Sequence, residues 1–434
     1  MKEIPVVKTV LASRLYPAVL QWPTLIFFVL IIYSLLHGAS DAEKNFGTVV
    51  TWFLWWPALG VMFLLAGRIW CATCPFSLIS DWVQKAVGNH LPVPKLLRRQ
   101  GSWLIPALFI LLTWCEDFFD IVHSTLATGV LLLAIITGVV ASGAFFERRT
   151  WCRYLCPLGG MAGIYSRVGF LQLRGAHDKC IKCNSVECYK GGKAGPGCPM
   201  FEFPRILDSS TNCNLCGTCV KNCPNDSLVV ALRAPSRELW SVNKPRIEES
   251  FLAAVMAGLL VVLNSLEVAK DWLPAFLGGG SARLGFTIFY FFSLCIPVLL
   301  MLLAAKLASS HNGTTTRTNF VRFGYALIPV VLAAHIGHTG REFLEKGMLI
   351  PFSIKSFLGL ETQMPGSVSL LGDEGILVVH LLLYGAGILL SCYTAWRIAR
   401  ASYKPEKRVG SMIPFVALIA IFAGLNILLV LSAE

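Results

Sequence analysis

Residues 213–224 read CNLCGTCVKNCP, a run of four closely spaced cysteines of which the last precedes a proline. The spacing C-x2-C-x2-C-x3-C-P is typical of bacterial-type [4Fe–4S] ligation, in which three thiolates bind one cube and the fourth binds a second cube. A looser group lies just before it, from Cys180 to Cys198, and also ends before a proline. The stretch from Cys180 to Pro224 therefore predicts two [4Fe–4S] clusters.

The crossed ligand pattern divides the eight cysteines into two sets. The first ferredoxin set is Cys180, Cys183, Cys188 and Cys223, and the second ferredoxin set is Cys198, Cys213, Cys216 and Cys219. A disulfide framework and two zinc sites are the alternatives for so many cysteines. A zinc ribbon uses two C-x2-C pairs and needs neither a third cysteine nor the Cys-Pro ending, so iron–sulfur ligation is favoured.

The rest of the chain is too apolar for one soluble globule. Of the 434 residues, 55% are hydrophobic and only 14% are charged. A hydrocarbon core roughly 30 Å thick needs about 20 apolar residues per helix. Nine such stretches lie near residues 17–37, 46–66, 102–119, 124–146, 249–269, 284–307, 320–344, 375–397 and 411–431. We expect an all-α polytopic membrane protein with nine helices and an inserted bacterial-type two-cluster ferredoxin domain.

The positions of Lys and Arg predict the orientation. With the N-terminus inside, 31 of the 37 basic residues fall in inner segments, and the short loops show the same bias. The N-terminus and the ferredoxin domain are then cytoplasmic, where thiols stay reduced, and the C-terminus lies outside the inner membrane. The formal charge of +12 follows from this topology, so lipid rather than nucleic acid is the expected partner.

Two Cys-Pro motifs follow membrane hairpins in the first 170 residues. Residues 70–76 read WCATCPF and residues 151–159 read WCRYLCPLG. Both begin with Trp-Cys and end with Cys-Pro, which indicates an internal repeat with both motifs on one membrane face. Their four thiols, the membrane set, are Cys71, Cys74, Cys152 and Cys156. Three uses fit such thiols: a third iron–sulfur cluster, a site for copper or another soft metal, and redox dithiols. The alternative is a turn with incidental buried thiols.

The paired motifs followed by a two-cluster segment resemble the membrane polyferredoxin family. That family includes a quinol-dehydrogenase subunit of periplasmic nitrate reductase systems, the iron–sulfur half of a nitrous-oxide-reductase regulator, and a copper-handling accessory of cbb3 oxidase assembly. The resemblance covers residues 17–235 and implies electron transfer at the cytoplasmic membrane. The first motif departs from the family by having two rather than three residues between its cysteines. The part from residue 249 onward lies outside the pattern.

The predicted domains are residues 1–170 for the membrane repeat, 171–246 for the ferredoxin domain and 247–434 for five further helices. The last domain carries three histidines near its outer side: His335, His338 and His380. Ionisable groups inside a membrane are costly and point to function. Gly337 and Gly340 would let a flat ligand approach closely. Facing imidazoles suit haem b, and a histidine beside Glu342 suits a quinone site.

The predicted function is electron relay between cytoplasmic-face [4Fe–4S] clusters and an outer-side quinone or periplasmic redox protein, with a cytoplasmic electron donor as a further partner. A quinol-dehydrogenase-type subunit is the enzyme class that this would fit. The alternative is handling or reduction of copper or another soft metal for a respiratory oxidase or reductase. A pure assembly scaffold is the third interpretation.

Overall fold

The protein is described by a computed structural model that covers residues 2–241, 243–269, 282–360 and 363–432. Within these residues nine helices are long and apolar enough to cross a membrane. Helices one to nine are Ala18–His37, Phe46–Ala66, Lys95–Phe118, Thr125–Phe145, Ile247–Leu266, Arg283–Asn312, Thr316–Lys346, Asp373–Ser402 and Pro405–Ser432. The prediction of a mainly helical, nine-helix membrane protein is confirmed. Helices satisfy their own backbone hydrogen bonds, which hydrocarbon requires.

Shorter helical segments connect these helices. The α-helical ones are Pro5–Ala12, Ile69–Thr73, Pro75–Val87, Pro157–Ser166, His177–Ile181, Glu187–Lys190, Thr218–Lys221, Arg237–Trp240 and Leu349–Phe357. Two segments are π-helical, Val50–Trp55 within helix two and Trp151–Leu155 after helix four. Two are 3-10 helical, Pro204–Ile206 and Gly324–Leu327, the latter within helix seven.

Five short strands accompany the cysteine-rich segment. They are β1 (Lys2–Glu3), β2 (Leu171–Gly175), β3 (Gly191–Gly192), β4 (Gly195–Pro196) and β5 (Leu228–Leu232). Strand β5 lies between β1 and β2, is antiparallel to both, and has Val230 opposite Leu173. The hairpin β3–β4 lies in the loop before Cys198.

Residues 2–16 pack with the ferredoxin segment, which the predicted domain 1–170 does not anticipate. Strand β1 extends the sheet, and Leu11 and Tyr16 are buried in the same core as Leu173 and Val230. The Tyr16 hydroxyl donates a hydrogen bond to the carbonyl oxygen of Leu215 at 2.9 Å, between two cysteines of the second ferredoxin set. The N-terminus therefore helps to fix the cysteine run.

Contacts divide the chain into two compact units. Unit 1 comprises residues 1–38, 61–109 and 126–238, and unit 2 comprises 39–60, 110–125 and 239–434. Unit 1 thus contains all three cysteine sets, whereas the three predicted histidines lie in unit 2. The boundaries near residues 170 and 246 stay a prediction.

Unit 2 is a helical bundle whose close contacts occur at small residues. Helices seven and eight pack together, as do five with six, and nine with six and eight. A Cβ atom on Gly387 would lie 2.6 Å from the Cβ of Ala333, and one on Gly258 would lie 2.8 Å from the Cα of Leu294. Small residues at such crossings let helix backbones approach closely in a membrane.

Candidate functional site

The first ferredoxin set surrounds one cavity. Its four cysteines line a space of about 320 Å³, part of which is open to solvent, together with Val186, Phe203 and Arg205. Cys223 follows the others by 35 residues or more in the sequence, yet it lines the same cavity. The structure therefore brings together the four thiols that the crossed ligand pattern groups.

Local hydrogen bonds orient the thiols of this set. The Ser227 hydroxyl lies 3.1 Å from the Cys223 sulfur and 3.4 Å from the Cys180 sulfur, and the backbone N–H of Ser227 donates to the Cys223 sulfur at 3.2 Å. A Cβ atom on Gly175 would lie 2.8 Å from the Cys180 sulfur. Glycine at 175 therefore leaves the space that this thiol occupies.

The thiols of the second ferredoxin set also lie close to one another. Burial, followed by the charges of the other thiols in the set, holds the pKa of Cys219 well above its usual value. Burial likewise raises the pKa of Cys213 to about 12. Cys188 of the first set also acts electrostatically on Cys219, so the two sets are neighbours. Buried Glu238 fixes the loop before Cys213 because its carboxylate accepts a hydrogen bond from the backbone N–H of Ser210 at 2.8 Å.

The membrane set comes together from the two halves of the repeat. Burial raises the pKa of Cys74 well above its usual value, and the thiols of Cys152, Cys71 and Cys156 raise it further. Burial also raises the pKa of Cys156, to about 12. All four predicted thiols therefore form one group.

The two motifs reach this group by different local folds. Cys71 lies on the short α-helix Ile69–Thr73, while Cys152 lies on the π-helix Trp151–Leu155. In the second motif the backbone N–H of Cys156 donates to the Trp151 carbonyl five residues earlier, at 2.8 Å. The wider turn accommodates the additional residue between the cysteines. Both motifs then start a helix with proline in its first turn, where the missing N–H costs little.

Arg68 links the membrane set to the second ferredoxin set. Its side chain is only 3% exposed, and it donates a hydrogen bond to the Thr211 carbonyl, two residues before Cys213. The guanidinium also contacts Cys71 and acts electrostatically on Cys156 and Cys152. A buried cation among thiols offsets the negative charge that thiolates and a bound cluster would bring.

Two further arginines connect the second motif to the same region. Arg148 donates hydrogen bonds to the carbonyl oxygens of Gly197 and Cys198, both at 2.9 Å. The Arg149 guanidinium donates two hydrogen bonds to the Asp81 carboxylate, from Nε to Oδ1 at 2.8 Å and from Nη2 to Oδ2 at 2.5 Å. The loop that carries Cys198 is thus tied to the residues just before Cys152.

The donor chemistry of all three sets fits iron–sulfur clusters. All fifteen cysteines of the chain are free thiols. Among the described residues, no three His, Cys, Asp or Glu side chains lie close enough to share a single metal ion. Cluster ligands stand further apart than the ligands of one ion, because each thiolate binds a different iron atom. Each set supplies the four thiolates that a [4Fe–4S] cube takes.

The three predicted histidines are in unit 2, and their rings face different neighbours. His335 is buried, with its ring centre 5.8 Å from that of Trp56. The His338 Nδ1 lies 3.0 Å from the Asn264 Oδ1. His380 is buried against Gly337, where an added Cβ atom would lie 2.6 Å from the imidazole Cδ2. Because Gly337 has no side chain, the His380 ring occupies the space beside it, and this space is not available to a ligand.

This packing does not fit haem b between the histidines. A macrocycle held by His380 and either His335 or His338 would have to lie where the His380 ring touches the backbone of helix seven. The interpretation of Gly337 as space for a flat ligand is therefore wrong. Glu342, the predicted companion of a quinone site, lies 3.7 Å from the ammonium group of Lys346.

Sequence reasoning missed a buried polar cluster around His338. Asn264 donates to the side-chain oxygen of Asn426 at 2.8 Å and to the Tyr384 hydroxyl at 3.5 Å. Asn264, Asn426 and Tyr384 are each at most 3% exposed. The sequence does contain a signal for this cluster: Asn264 and Asn426 lie in apolar membrane helices, where an asparagine requires a hydrogen-bond partner.

A family model described as a 4Fe-4S binding domain matches the chain twice, at residues 48–94 and 128–174. Each match contains one Cys-Pro motif of the membrane set. The eight ferredoxin cysteines lie after both matches.

Several curated proteins are similar to parts of this chain. YccM of Escherichia coli, named for electron transport, is 33% identical over 35% of this chain and 36% of its own length. The ferredoxin-type protein MauN of Paracoccus denitrificans, named for methylamine utilization, is 30% identical over 30% of this chain and 51% of its own. MJ0750 of Methanocaldococcus jannaschii is 27% identical over 39% of this chain and 74% of its own length. The chain thus spans about a third of YccM and half of MauN. No solved structure matches it.

Proposed function

We propose that this chain, an iron–sulfur electron transport protein of a polyferredoxin-like family, relays electrons between three [4Fe–4S] centres on the cytoplasmic side of a membrane and a quinone in unit 2. The observation that carries the proposal is the series of three four-thiol sets in unit 1, in which neighbouring sets interact. When bound, each cluster supplies one-electron transfer. A quinone takes up two electrons and two protons as it becomes the quinol.

The protein residues have separate roles in this proposal. The eight ferredoxin cysteines hold two clusters, and the membrane set holds the third. Arg68 and Arg148 keep the membrane set next to the second ferredoxin set. The histidines of unit 2, His338 in particular, exchange protons with the bound quinone or quinol.

Metal content and quinol-linked reduction test the proposal. Anaerobically purified protein should contain about twelve iron and twelve sulfide per chain, or about eight if the membrane set holds no cluster. Addition of a short-chain quinol should change the cluster absorbance as the clusters become reduced. In the reverse direction, clusters that have been reduced beforehand should transfer electrons to a short-chain quinone. Zinc in place of iron, or copper at one ion per membrane set, would contradict the proposal and favour metal handling.

The orientation is part of the proposal, because it puts the clusters on the reducing side of the membrane. We expect reporter fusions within residues 150–246 and 400–410 to report the cytoplasm, and fusions within residues 345–374 to report the outside. A cytoplasmic signal from residues 345–374 would reverse the orientation.

A further inference from the structure

Helices five, six and nine form an apolar groove in unit 2. The space measures about 480 Å³, including its open side, and is lined by residues such as Ala257, Val261, Pro297, Leu300, Phe422 and Leu425. Pro297 lies inside helix six and cannot donate a hydrogen bond to the carbonyl of Ser293, which also lines the groove. Ile421 and Leu425 are 56% and 42% exposed, so the groove opens toward the surrounding lipid.

Beyond the groove, helices five and nine are joined by the buried hydrogen bond from Asn264 to Asn426, 2.8 Å long. Asn264 lies one helical turn beyond Val261, and the Asn426 amide donates to the carbonyl oxygen of Phe422, a groove residue, at 2.9 Å. Polar side chains thus lie one helical turn beyond apolar residues that line the groove on helices five and nine. A ligand that fills both parts needs a polar head and an apolar tail.

The Tyr384 hydroxyl supplies a hydrogen-bond donor among these polar side chains. It is 1% exposed and accepts the long bond from Asn264, but among the described residues its own hydrogen has no hydrogen-bond acceptor. A buried donor without an acceptor costs free energy, which a ligand carbonyl would recover. On the same asparagine, the imidazole of His338 lies with its Nδ1 3.0 Å from the Asn264 Oδ1.

We infer that a lipid-soluble quinone binds in unit 2 with its isoprenoid tail in the groove and its head group at Tyr384, Asn264 and His338. This inference rests on the proposed function and specifies its quinone site. One head-group carbonyl accepts a hydrogen bond from Tyr384. Reduction adds two electrons and two protons to the ring oxygens, and His338 is placed to deliver protons, with Glu342 one turn further along helix seven.

Photoaffinity labelling tests the site independently of electron transfer. Full-length, cluster-loaded protein in phospholipid nanodiscs would be labelled with an azidoquinone that carries a short isoprenoid tail, and the labelled peptides mapped. We expect saturable labelling in helices five and nine that unlabelled quinone prevents and added phospholipid does not. Labelling that does not saturate, or that phospholipid removes equally well, would overturn the inference and identify the groove as an acyl-chain surface.

Matched variants sharpen the result. Val261→Trp fills the groove and should reduce labelling at least about tenfold, while Tyr384→Phe keeps the ring and should raise the apparent Kd about fivefold through the lost hydrogen bond. Leu389→Trp, at a lipid-facing position 73% exposed on helix eight, should change nothing. Unchanged labelling in both site variants would refute the assignment.

Cluster reduction by quinol separates the two proposals. If quinol reduces the clusters equally in wild type, Val261→Trp and Tyr384→Phe, the site is wrong and the proposed function stands. If the azidoquinone labels the groove but quinol and clusters exchange no electrons, the site stands and the proposed function fails.

Discussion

The two copies of the membrane repeat differ by one residue between their cysteines, yet both deliver their thiols to the same group. In the first copy, Cys71 and Cys74 lie at the end of an α-helical turn. In the second, the π-helix Trp151–Leu155 holds the additional residue. Cysteine spacing therefore describes the turn that presents the thiols, and unequal spacing does not indicate separate sites.

The copies differ more in what anchors them. In the first copy, the buried Arg68 contacts Cys71 of the membrane set and donates a hydrogen bond to the Thr211 carbonyl. The second copy directs Arg149 to Asp81, on the helix that follows the first motif, and Arg148 to the loop of Cys198. Each copy thus places an arginine near the thiols and ties the repeat to the ferredoxin segment, but through different partners.

The largest expected effect tests whether the copies share one centre. Cys71→Ser and Cys152→Ser should each remove the same spectroscopic centre and lower the iron content from about twelve to about eight atoms per chain, because a cube needs all four thiolates. Electron paramagnetic resonance and iron analysis measure this. Cys295→Ser, at an exposed cysteine outside the three sets, is the control. Loss of different centres by the two variants would show separate dithiol sites.

A second large effect distinguishes the first ferredoxin set from the second. Cys223→Ser should remove the centre of the first set and leave the second, whereas Cys198→Ser should do the reverse. Each change should lower the iron content by about four atoms per chain. If Cys223→Ser removed the same centre as Cys213→Ser, the compact run would hold one cluster alone and the crossed pattern would be wrong.

Residue patterns predicted the features that depend on strong local rules. Nine apolar stretches and the cysteine spacings were sufficient for the helices and for the grouping of thiols. The role of residues 2–16 was not predictable, because a two-residue strand carries no periodic signal. The packing does not favour the haem prediction, because a glycine beside a histidine indicates only that some group approaches closely, and at Gly337 that group is the His380 ring. The groove depends on how three helices pack, which one sequence does not reveal.

A moderate effect is expected at Arg68, the buried cation of the first copy. Arg68→Gln should lower the reduction potential of the membrane-set centre by on the order of 100 mV, because the cation favours the more negative, reduced state at short range. Redox titration followed by electron paramagnetic resonance measures the shift. Arg68→Lys keeps the charge and should shift the potential much less. An equal shift in both variants would indicate a change in packing rather than charge.

The smallest expected effect tests the equivalence of the copies directly. Deleting Leu155 converts the second motif to the C-x2-C-P spacing of the first, and an α-helical turn should then replace the π-turn, since a π-turn commonly arises from one inserted residue. Because the first copy already presents its thiols from such a turn, we expect the membrane-set centre to persist with most of its iron. The spectrum and iron content of this variant should resemble wild type far more than Cys152→Ser. Complete loss of the centre would show that the second copy needs its wider turn, and that the two motifs reach the shared thiol group by geometries that cannot be exchanged.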